Sequence, residues 1–123
     1  MSKSDYLRLN AKYLREVEEL IEKKDYPQAS EKLWGSFVEA VKAVASGRGV
    51  KLGTHRSIAE FVAELDKEYP DLKLREVFRH AESLHVNFYE DHLPEDYVIE
   101  SKQIISKAVE QLLHREQSRM RAL

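Results

Sequence analysis

The 123-residue sequence has no cysteine, only four glycines and only three prolines. Without cysteine there is no disulfide framework, no thiol nucleophile and no thiolate-bound zinc or iron–sulfur centre. Few glycines and prolines leave little material for turns, which suits long elements joined by short connections. No apolar run approaches the roughly 18–20 residues that span a bilayer. The start, Met1-Ser2-Lys3-Ser4-Asp5-Tyr6, lacks an apolar stretch followed by a cleavage site, so no signal peptide is expected. A soluble, cytoplasmic chain with no membrane partner is the expectation. Neither sign of charge dominates, with 20 Lys and Arg against 22 Asp and Glu for a formal net charge of −2. That balance argues against a protein that coats nucleic acid by bulk charge, while leaving room for a local basic patch.

What is abundant is charge of both signs, 34% of the residues, in the style of solvated helix faces and of thermophile proteins. The length fits one domain over residues 1–123. Apolar residues recur at helical spacing throughout, with no competing alternation of period two. Helix one is expected over residues 5–24, capped by Ser4, with Leu7, Leu14, Val17 and Ile21 as its stripe. Pro27 opens helix two, which is expected to bury Leu33, Trp34, Phe37, Val38, Val41 and Val44 and to stop before Gly47. A glycine-bearing loop, Ser46 to Gly53, precedes helix three, capped by Thr54 and ended by Pro70. Asp71 is the expected cap of helix four, which runs to about Tyr89. Pro94-Glu95-Asp96 starts helix five, and residues 114–123 form a basic tail expected to fray. The fold class is all-α, an up-down bundle of about five helices.

Helix four holds the most informative chemistry. At about 100° per residue, His85 falls on the same face as Leu74, Val77, Phe78, Ala81 and Phe88, while Arg75 and Arg79 point elsewhere. A histidine there must satisfy both ring nitrogens. One reading is a core histidine bonded to a neighbour such as Glu31 or Tyr26; the other is an acid/base or ligand contact in an interhelical cleft. Glu82, Asn87, Tyr89 and Glu90 lie near it, at a groove rim or on a solvated face. On helix two, Gly35 costs about 1 kcal/mol in mid-helix, which calls for close approach by another helix or subunit. Trp34 beside it anchors either the core or an interface, and a third reading has it line a small-molecule pocket between helices two and four with His85 and Tyr89. Arg48 and Lys51, ahead of helix three with His55 in its first turn, could hold a phosphate or form a plain loop. The five histidines form no HExxH pattern and the acids no EF-hand series, so no metal and no cofactor is expected.

Two stretches, Tyr26-Pro27-Gln28-Ala29-Ser30-Glu31-Lys32-Leu33-Trp34-Gly35 and Ala81-Glu82-Ser83-Leu84-His85-Val86-Asn87-Phe88-Tyr89-Glu90, carry a resemblance, with Thr54-His55 between them. Together they resemble the archaeal PaREP family, small helical proteins associated with repeated genomic elements, over about residues 25–113. That family is in turn similar to the HEPN superfamily. HEPN proteins are typically homodimers, often paired with nucleotidyltransferases in toxin–antitoxin modules, and some are metal-independent ribonucleases. The resemblance implies a HEPN-like homodimeric module that binds a protein, nucleotide or RNA partner, with Glu31, Trp34, Gly35, His55, Asn87 and Tyr89 as binding candidates. It also implies an alternative, a ribonuclease using Arg79 and His85 as an R-x5-H pair, or Arg75 and His80. Arginine would then stabilise phosphate charge while histidine moves the 2′-hydroxyl proton. Around one helix the first pair diverges by about 120° and the second by about 140°.

Overall fold

The computed structural model describes all 123 residues, Met1–Leu123, and contains five α-helices and no strand. They are α1 (Lys3–Glu22), α2 (Tyr26–Gly47), α3 (His55–Glu68), α4 (Leu74–Glu90) and α5 (Glu95–Arg121). The expected all-α bundle is the architecture found. Helix α2 sits at its centre, packing on all four of the others. It is built for that place: Leu33, Phe37, Ala40, Val41 and Val44 are each 1% exposed or less. Burying the leucine, phenylalanine and two valines contributes roughly 1.5–3 kcal/mol apiece, so α2 organises the core. Its partners contribute Val62 and Leu65 from α3, Leu74 and Leu84 from α4, and Val98, Ile105 and Leu112 from α5.

Helix α1 packs almost wholly on α2, and the two run antiparallel: Lys3 lies against Gly47, Tyr13 against Gly35, and Glu16 against Lys32. Gly35 owes its place to this contact within one chain. A Cβ added there would meet Tyr13 Cδ2 at 3.0 Å, closer than real Cβ atoms normally come. Gly35→Leu is therefore expected to push α1 off α2 at a cost of about 1–3 kcal/mol. A urea midpoint unchanged from wild type would contradict that packing role.

Several helix ends differ from the sequence expectation, each for a local reason. Ser2, not Ser4, caps α1, in a reciprocal box with Asp5. Gly47 lies inside α2, and Gly49, at φ +74°, takes the left-handed turn that follows. Asp71 does not cap α4; it sits in a short 3-10 turn over Pro70–Leu72, and Lys73 enters α4 from the left-handed region. Helix α4 buries Asn87 rather than Phe88, which is half-buried against Tyr89.

The largest correction concerns the tail. Residues 114–121 do not fray but continue α5, because Glu116 is 3% exposed and tied down. Arg48 Nε and Nη2 donate to its two carboxylate oxygens at 2.7 and 2.8 Å, and the Tyr69 hydroxyl donates to Oε2 at 2.9 Å. Arg48 also donates to Glu68 at 2.8 Å, and Arg119 approaches both acids. The Arg48 side chain thus bridges the ends of α2, α3 and α5, and the guanidinium proposed for a phosphate is already committed to two carboxylates. Burial opposes ionisation of Glu116, but the bonds from Arg48 and Tyr69 outweigh it and hold the carboxyl below its ordinary range.

Candidate functional site

The rings singled out on separate helices come together. Trp34 of α2 stacks with His55 of α3, centroids 5.2 Å apart at 16°, and with His85 of α4, 4.8 Å apart at 25°. Phe78 packs beneath at 6.0 Å, and Tyr89 meets His85 edge to face at 5.7 Å and 85°. Local sequence explains the convergence. Thr54 caps α3 through the Ser57 amide, which fixes His55 in the first turn. His85 and Tyr89 are four apart on α4, so they share a face. Trp34 is half-buried, neither sealed in the core nor free of it.

Each imidazole is held by a carboxylate. His85 Nδ1 lies 3.0 Å from Glu31 Oε1, and His55 Nε2 lies 3.1 Å from Glu82 Oε2. With Nδ1–H donating to Glu31, a neutral His85 presents Nε2 as an acceptor, the orientation of a general base. His85 does not sit deep in the core: its side chain is 35% exposed, at the edge of the bundle. The foreseen tie to Glu31 is present, on a side chain that stays partly open to solvent. Beside it, a cleft of about 310 Å³ runs between α1 and α2, past Tyr13, Glu31, Trp34 and Gly35. Burial pushes the Glu39 carboxyl in that cleft upward, with Lys42 partly offsetting it.

The remaining candidates go elsewhere. Asn87 is fully buried and serves the fold: its amide donates to Ser30 Oγ at 3.0 Å while its oxygen accepts from the His92 and Leu93 amides, both at 2.8 Å. Arg79 does not meet His85. It opens into a cavity of about 240 Å³ on the α4–α5 side with Glu76, His80, Ser83 and Tyr97. His80 Nδ1 lies 3.4 Å from Ser101 Oγ, and its ring lies 5.9 Å from that of Tyr97. Arg75 is exposed at the start of α4, where its amide donates to Asp66 at 3.4 Å. No three His, Asp or Glu side chains gather closely enough to hold a metal ion. No helix is long and apolar enough to cross a membrane.

Two features escaped the sequence reading. That His55 joins His85 on Trp34 depends on three helices meeting, and no local spacing announces it. The Glu116 anchor had one faint signal, since Leu112 and Glu116 extend the inward face of α5 by one more turn.

A central α2 packed on by four other helices, with a surface cluster of carboxylate-held histidines on a tryptophan, defines a small all-α protein carrying a ring-lined surface. The chain belongs to the archaeal PaREP1/PaREP8 family, whose sequence profile matches residues 5–116 and so includes α1. Its fold is similar to that of a Sulfolobus solfataricus protein solved by crystallography, with a TM-score of 0.74 and 24% identity, covering 86% of this chain and 94% of that one. No curated protein matches the chain.

Proposed function

We propose that the chain is a cytoplasmic, HEPN-like binding module that works as a homodimer in a mobile-element or toxin–antitoxin-type system. It takes its partner on the surface formed by His55, Trp34, His85 and Tyr89. The observation that carries this reading is the commitment of His85 to Glu31 on one side of α4 while Arg79 leaves from another. A ribonuclease built on that pair needs its arginine beside the imidazole to stabilise phosphate charge, and Arg79 faces the α4–α5 cavity instead. Of the three partner classes, a protein fits best. The two carboxylates beside the histidines repel a phosphate, whereas nucleotides and RNA bind chiefly through theirs.

The test is RNA incubated with purified protein in EDTA, together with the mass in solution. No cleavage, and a particle of twice the 14.4 kDa chain, are the expected results. Cleavage abolished by His80→Ala would favour a ribonuclease at the α4–α5 cavity, where Arg79, His80 and Tyr97 lie together. A folded monomer would remove the dimer.

A further inference from the structure

We infer that the ring cluster is a socket for an arginine side chain offered by a basic segment of a partner protein. The inference rests on the partner-binding reading above and specifies the chemistry of the contact. It begins with charge. Between Arg79 and Lys102 the chain has no lysine or arginine, but it has six carboxylates: Glu82, Glu90, Asp91, Glu95, Asp96 and Glu100. Elsewhere the ion-paired acids find a lysine or an arginine; Glu31 and Glu82 alone find only a histidine. When those imidazoles are neutral, neither carboxylate has a lysine or arginine bonded to it, Lys32 of the same cleft being turned to Glu16, and a cation from outside fills that place.

Geometry narrows the cation to a flat one. The His85 and Tyr89 rings meet nearly at right angles, 5.7 Å apart, in a corner open to solvent: Tyr89 is 72% exposed and Val86, one residue after His85, is 43% exposed. A guanidinium laid on either ring keeps its in-plane N–H groups free for carboxylates, and the Glu31 carboxylate lies 3.0 Å from His85 Nδ1. A lysine ammonium is more strongly hydrated and cannot stack in this way. Exposed Val86 and Tyr89 give an apolar residue next to that arginine something to cover. The occupant is thus an arginine-bearing, partly apolar basic segment.

Trp34 is the only tryptophan, so its fluorescence reports on this cluster alone. The full-length protein is titrated with a short arginine- and leucine-containing peptide, with the same peptide carrying lysine for arginine, with one carrying glutamate, and with a short single-stranded RNA. The arginine peptide is expected to change Trp34 emission saturably and to weaken as salt is raised. Glu31→Gln combined with Glu82→Gln is expected to weaken it about tenfold. Tyr89→Ala, at a site too exposed to threaten the fold, is expected to weaken it several-fold. Equal binding of the glutamate peptide or of the RNA would overturn the inference, as would unchanged affinity in both variants. A dimeric, RNA-inert protein that ignores the arginine peptide defeats this inference alone. RNA cleavage, or a monomer, defeats the broader reading through measurements that do not involve the peptide.

Discussion

Arg48→Met is expected to destabilise the protein by about 3–5 kcal/mol, a large part of the 5–15 kcal/mol typical of a domain. The loss comes less from a missing attraction than from what remains, a Glu116 carboxylate 3% exposed with its two-pronged donor gone. Replacing both members, Arg48→Met with Glu116→Leu, should therefore recover most of it, because no buried charge is left without a partner. Urea midpoints for the two single variants and the double variant check this; additive losses would show that Arg48 and Glu116 act independently. The pH dependence has a definite sign. Glu116 is held below its ordinary value of 4.5 in the folded protein, so its contribution is complete above that pH and is lost as pH falls through the folded value. The deficit of Arg48→Met should accordingly shrink below about pH 4.5.

Asn87→Ala is the second large effect, about 2–3 kcal/mol, because one side chain satisfies three groups. Its loss leaves the His92 and Leu93 amides without their acceptor and removes the bond that Ser30 Oγ accepts, although that hydroxyl still donates to the Tyr26 carbonyl. Those two amides shape the turn between α4 and α5, so the effect is local as well as global. Hydrogen exchange at His92 and Leu93 should accelerate more than exchange in α2. If protection fell evenly over the whole chain, Asn87 would be a packing residue and not the organiser of that turn.

Much of the fold was legible because helix periodicity is a local property. The stripes of α2 and α3 are those read from spacing, except that Trp34 lies at the edge of the core, and Thr54 caps α3 as its side chain dictates. Helix ends were harder to place, since caps compete: Ser2 and Ser4 are equally good residues, and the one with a reciprocal Asp5 wins. Asp71 had the right chemistry for a cap, but Pro70 starts a 3-10 turn that carries it away from α4. The tie between Glu31 and His85 was foreseeable because a polar ring on an apolar face needs an acceptor. What spacing along one helix does not reveal is which residue of another helix lies across from it. The stack on Trp34 and the Arg48–Glu116 bridge both arise that way, the latter between residues 68 positions apart.

Helix α5 spans the molecule, about 40 Å over its 27 residues, with Glu95 and Asp96 at its beginning and Arg119 and Arg121 at its end. With Arg119 drawn to Glu68 and Glu116, Arg121 is the cation left to oppose the two acids of the other tip. Such a rod still behaves as a compass needle: even with a net charge near zero, the molecule turns in the field of a charged body before any surfaces touch. Its encounters should be slowed by added electrolyte more than its small net charge alone would suggest.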